Sequence, residues 1–134
     1  MDIFDFYGVN YNNEEDMISD LSEVLGVVFV PHDSSFWGDY FLSEIDGKNS
    51  YRLFQNFNPC ENDWNYPDYQ HAEWILEISE VSEMDDVFNK LLVDANPNVF
   101  FLYRSEVEAL NYYKKYEFKD GNFKLISETF FKRK

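Results

Sequence analysis

Met17, Ile18, Leu21, Val24 and Leu25 recur at three- and four-residue intervals, a spacing that brings them onto one face of a helix. Asn12 or Asn13 stands where an N-cap is expected, and Glu14, Glu15 and Asp16 follow where the helix dipole favours anions. Gly26 then stops the helix. A second stripe, Met84, Val87, Phe88, Leu91 and Leu92, follows Ser82 as cap and ends before Pro97. Both stripes read as core. Five other runs, "GVVFVP", "DYFLSEI", "SYRLFQNF", "AEWILEIS" and "NVFFLYRS", are short and rich in β-branched and aromatic residues, which predicts strands. "DGKNS" between the second and third marks a hairpin.

Near the C-terminus, Asp120-Gly121 suits a two-residue type I′ turn. That turn would pair Phe118 with Phe123 and Tyr116 with Leu125, and set Glu117 across from Lys124. Ser105 and Glu108 also fit a capping box, so residues 105–113 read equally as a helix. The order helix, strands, helix, strands predicts an α+β fold. Its form is one domain over residues 1–134, with a mainly antiparallel sheet of about five to seven strands and two helices packed on it.

A chain of 134 residues can bury a core without covalent staples. Cys60 is the sole cysteine, and "MDIFDFYG" offers neither a positive leader nor an apolar run long enough for a signal peptide or a membrane span. Both features point to a soluble protein of a reducing, cytoplasmic compartment.

Charge sharpens the picture. Residues 1–98 hold 21 acids and three bases, net −18, whereas residues 99–134 hold five acids and eight bases, net +3. No Lys or Arg occurs between Arg52 and Lys90, where nine acids do. Such a field disfavours nucleic acid and anionic membranes and speeds association with a basic partner.

Side chains that could do chemistry are few. Cys60 and His71 could form a thiolate–imidazole pair, but Glu61 and Asp63 follow the cysteine and would raise its pKa. "HDS" at 32–34 holds the residue types of a hydrolase triad, yet sequence neighbours cannot take up that geometry, and no G-x-S-x-G elbow is present. "ENDWN" offers alternate oxygens, but a calcium loop counted from Glu61 would need Gly where Tyr66 stands and Glu where Ala72 stands. One cysteine and two scattered histidines do not make a zinc site, and no Gly-rich loop exists for a nucleotide. The sequence therefore predicts no catalytic residue, no metal and no cofactor.

What stands out instead is "FNPCENDWNYPDY", residues 57–69. It is too rich in Asn, Asp and Pro for a core strand and too aromatic for a solvating loop. Trp64, Tyr66 and Tyr69 interleaved with Glu61, Asp63 and Asp68 supply rigid apolar area and fixed charge together, as protein–protein hot spots do. Asp39, Tyr40 and Glu44 on the adjoining strand complete the predicted partner-binding set, with the Gly38 turn expected to bring Asp39 and Glu44 near the loop. The same composition also suits a lid folded onto the sheet, and both roles can hold together.

The order "EVLGVVFVPHDSSFWGDYFLSE", "YRLFQNF", an acidic aromatic loop and "AEWILEIS" resembles the immunity proteins of bacterial polymorphic toxin systems, including contact-dependent growth inhibition. The matching cluster is Ser35, Phe36, Trp37, Gly38, Asp39 and Tyr40, followed by Asn56 at the end of the next strand. It covers roughly residues 20–80, and the basic segment 105–134 lies outside it. The resemblance implies a small cytoplasmic protein that binds one cognate toxin domain, often a nuclease, and neutralises it without chemistry. A basic nuclease surface suits an acidic inhibitor. Two other classes remain open: an acidic nucleic-acid mimic or anti-nuclease inhibitor of phage type, and an enzyme with an unrecognised site.

Overall fold

Residues 2–34, 38–45, 49–59, 61–79, 90–92 and 97–131 are described by the computed structural model. Strands β1 (Asp2–Val9), β2 (Val30–Ser34), β3 (Gly38–Ile45), β4 (Asn49–Gln55), β7 (Trp74–Ser79), β8 (Val99–Glu108), β9 (Tyr112–Lys119) and β10 (Asn122–Phe130) form one sheet. Their order is β10-β9-β8-β1-β7-β4-β3-β2, and every neighbouring pair is antiparallel. A small hairpin of β5 (Phe57–Asn58) and β6 (Asp63–Trp64) stands apart from it. Helix α1 (Glu14–Leu25) and a second helix, of which residues 90–92 are described, complete an α+β fold. Ser82, Met84, Val87 and Phe88, assigned above to that second helix, lie outside the described residues.

Eight strands, not about five to seven, make the sheet, and the strand absent from the sequence reading is β1, which sits between β7 and β8. Its middle carries Asp5, an acid that argues against a central strand until its partner is known. Arg104 supplies that partner from 99 residues away: its Nε and Nη2 reach the two carboxylate oxygens at 2.6 and 2.9 Å. Asp5 is buried, and a bidentate guanidinium offsets much of the cost of burying it.

The capping reading of residues 105–113 is overturned, because β8 runs through Glu108 and β9 starts at Tyr112, with Leu110 at φ 67° in the tight turn between them. Cross-strand pairing with Arg104–Glu108 outweighs the local helix signal. The run "GVVFVP" enters the sheet only at Val30, since Val27 and Phe29 are buried beside α1 as connecting residues. At the C-terminal hairpin, Asp120 (φ 53°) and Gly121 (φ 79°) take the paired positive angles of a type I′ turn, and Phe118–Phe123, Tyr116–Leu125 and Glu117–Lys124 face each other as expected. The ion pairs nonetheless run along the strands, Lys119 to Glu117 and Lys124 to Asp120.

The sheet's two faces have different covers. Tyr7, Val9, Leu53, Leu76 and Val99 meet Met17 and Leu21 of α1 and Leu91 of the second helix on one face. Phe6, Phe54, Ala72, Ile75 and Tyr103 occupy the other, where no described α-helix lies; Tyr66 and Tyr69, the latter in a single 3-10 turn (Pro67–Tyr69), pack against them. The aromatic acidic segment is therefore the cover of the second face.

Candidate partner-recognition surface

Closing an irregular segment over a sheet leaves backbone donors and acceptors that must find partners. Asn56, fully buried where β4 ends, supplies several of them. Its backbone N–H donates to Glu73 O (2.9 Å) and its carbonyl accepts from Asn65 N–H (2.7 Å). Its side-chain Oδ1 accepts from Tyr66 N–H (2.9 Å), while Nδ2 donates to Tyr69 O (2.8 Å) and Ala72 O (3.0 Å). One carboxamide thus stitches both limbs of the segment together. Asn10, at the end of β1, holds the returning limb beside it: Nδ2 donates to His71 O (2.9 Å) and Oδ1 accepts from Glu73 N–H (2.7 Å).

Beneath these bonds the aromatic rings are layered. Tyr103 stacks on Phe6 with centroids 4.4 Å apart and on Tyr69 at 5.6 Å. Tyr66 tilts against Phe6 (5.7 Å), Phe54 (6.1 Å) and Tyr103 (6.3 Å). Lys115 Nζ lies 4.4 Å from the Tyr103 ring centroid and 5.2 Å from that of Tyr69, so β9 adds cation–π attraction at the lid's margin. Burial, with Glu77 nearby, pushes the Tyr66 hydroxyl up to about 12, and Tyr103, also desolvated, is raised further. Both rings are neutral packing groups. Glu77, in contact with Arg52 at 3.3 Å, is also raised, because desolvation outweighs the guanidinium.

The outward side differs. Asn62, at φ 52°, turns the chain between β5 and β6, and Asp63 Oδ1 accepts from Trp64 N–H at 2.8 Å, a local bond that stiffens the turn. Phe57 and Trp64 face each other across the hairpin, edge to face at 5.4 Å. Phe57 is 40% exposed, and Glu61, Asp63 and Asp68 are all exposed around the pair. The predicted set therefore divides: Tyr66 and Tyr69 hold the lid down, Trp64 is half-buried beside Phe57, and Glu61, Asp63 and Asp68 are exposed.

The β3 residues divide as well. Tyr40 lies on the lid side, opposite Phe54, with His32 stacked on it at 5.5 Å. Asp39 is exposed opposite Asp33 at the same end of β3, and strand alternation turns it toward the other face, the one Phe41 shares. Glu44 lies opposite Ser50, about 13 Å farther along the strand than Tyr40 at the usual rise. It lines a groove of about 670 Å³ with Val27, Val30, His32 and Leu42. The Gly38 turn does not bring Asp39 and Glu44 together beside the lid.

His32 and Asp33 lie within β2 and alternate between faces, so "HDS" is strand. The His71 ring stacks on Phe100 at 5.3 Å, and Cys60 lies outside the described residues. No group of three or more His, Cys, Asp or Glu that could hold a metal occurs among the described residues, and no helix among them is long and apolar enough to cross a membrane. No protein family, curated protein or solved structure matches the chain.

Asn10 and Lys115 escaped the sequence reading, which had noticed Asn56 only as part of a motif. An asparagine directly after the apolar run "YRLFQ" is the one local sign that a strand end must bind loop backbone.

Asn56→Ala should destabilise the protein by about 2–4 kcal/mol in urea titrations, because a buried N–H and two carbonyls lose their partner. A loss below about 0.5 kcal/mol, the size of an ordinary surface change, would contradict the role given to this side chain. A second expectation concerns pH. With its folded pKa raised, Glu77 gives stability that is present below the ordinary glutamate value of about 4.3 and lost as pH rises through the folded value. Relative to Glu77→Gln, which keeps an acceptor for Arg52, the wild type should lose stability between weakly acidic and neutral pH. A difference that stays flat or grows in favour of the wild type would reverse the assignment.

Proposed function

We propose that this protein is an immunity protein that binds a cognate bacterial toxin domain in the cytoplasm and neutralises it by non-catalytic contact. The partner is basic and of nuclease type, and the outward side of the lid is what meets it. The observation that carries this reading is the division within residues 57–71: Asn56 and two tyrosines hold the backbone from below, while Phe57, the half-buried Trp64 and the exposed Glu61, Asp63 and Asp68 of the same segment remain accessible. A surface held rigid before it meets a partner loses little conformational entropy on binding. Its aromatic pair suits an anchor, and its acids suit steering, since the segment between Arg52 and Lys90 has no Lys or Arg of its own and Lys115 stands only at the lid's margin. The resemblance of residues 20–80 to immunity proteins supports the same class.

The test uses the toxin domain encoded beside this chain and measures folding and affinity on the same proteins. Trp64→Ala should change the melting temperature little, because the ring is only half-buried, yet weaken binding about thirty- to a thousand-fold. Asp63→Asn with Asp68→Asn should slow association and leave dissociation nearly unchanged. Full affinity in every variant, or a Trp64→Ala protein that fails to bind only because it has unfolded, would remove this surface from partner recognition.

A further inference from the structure

The two edges of the sheet are built differently. β2 has five residues and carries Pro31, which has no N–H to offer a new strand. β10 has nine residues and no proline, and among the described residues nothing pairs with its outer side. An exposed edge of that length is a template for another strand. Leu125, Ile126, Phe130 and Phe131 are exposed along it, Phe130 to 63%, whereas outside the β8–β10 region the large exposed apolar side chains among the described residues are Val28, Val30 and Phe57.

We propose that the occupant of this edge is a second copy of the chain, paired antiparallel through β10 about a two-fold axis. Charge favours this occupant. At net −15 the chain repels its own copies, but residues 99–131, which form β8, β9 and β10, hold five acids and five bases and sum to zero, against −18 for residues 1–98. Across eight strands the sheet is roughly 35 Å wide, several screening lengths of about 8 Å at physiological salt. Contact at β10 therefore keeps the two acidic bodies apart, and contact at the β2 edge would press them together. A strongly basic partner, by the same reasoning, goes to the acidic lid and not to this edge.

The β-bulge between Leu125 and Ser127 sets the register. It interrupts the ladder at mid-strand, so pairing forms in two equal halves, Asn122–Leu125 against residues 128–131 of the second copy and the reverse. Phe123 then faces Phe130 on one side of the sheet and Lys124 faces Thr129 on the other, so each half has an aromatic pair. Ser127 meets its own counterpart at the axis, with the bulged Ile126 beside it. An axis of this kind is perpendicular to the sheet, so both lids lie on one side of the dimer.

Sedimentation equilibrium over a hundred-fold range of concentration should show a monomer–dimer equilibrium. Phe130→Lys, at a side chain exposed enough to leave folding intact, should weaken it at least tenfold, and Val30→Lys at the β2 edge should not. Ser127→Cys in a Cys60→Ser background should form a disulfide-linked dimer under mild oxidation, which a merely sticky surface would not do at one position. A chain monomeric at every concentration, a dimer broken by Val30→Lys but not by Phe130→Lys, or a Ser127→Cys protein that stays uncrosslinked while dimeric would each overturn the proposal.

Discussion

The structure depends on one requirement: the polar backbone of an irregular segment must be satisfied where it crosses a hydrophobic sheet face. Asn56 meets it with a side chain that imitates a strand, offering an acceptor to Tyr66 and donors to Tyr69 and Ala72. With those groups bonded, Tyr66 and Tyr69 can lie against Phe6, Phe54 and Tyr103 without stranding their own carbonyls. Without them, the second face would need a helix, as the first face has. Asn10 repeats the device beside it, at His71 and Glu73, so two carboxamides hold the returning limb of the lid and the rings hold it from below.

The same economy of long-range pairing organises the charges. Asp5 enters a central strand because Arg104 lies on the next strand at the matching position, and the guanidinium continues to the Phe123 ring, 4.0 Å from its centroid. That side chain joins β1, β8 and the C-terminal hairpin. The positive residues beyond it remain at one edge of the sheet, and the unpaired acids remain on the lid and on α1. A chain acidic overall is thus polarised across its width, from the acidic lid and α1 to the near-neutral strands β8–β10.

Helix α1 was legible because its evidence is local: the cap Asn13, the first-turn acids and Gly26 each act within a turn. The C-terminal hairpin was legible for the same reason, down to the register that Asp120-Gly121 imposes. β1 was hidden because Asp5 makes sense only with Arg104, and strand pairing from residue 105 onward was ambiguous because a capping box and a strand can share the same residues. For the lid, composition revealed that residues 57–69 have two tasks, but which ring performs which depends on what lies underneath. Tyr66 and Tyr69 meet the sheet, and Trp64 meets only the edge of its own hairpin partner among the ring contacts described. Glu44 is near Gly38 in sequence, although six residues of strand carry it about 20 Å away.

Taken together, the lid is a preformed surface held by buried amide bonds, and its readiness before any partner arrives is the central claim. Native-state amide hydrogen exchange followed by NMR tests it in the free protein. The N–H of Tyr66, bonded to the Asn56 side chain, and those of Asn65 and Ala72 should be protected to a degree comparable with the amides of β7, although all three lie outside the main sheet. Exchange of these amides as fast as that of the exposed turn at Glu61 and Asn62 would show that the segment closes only on binding, and would contradict the account.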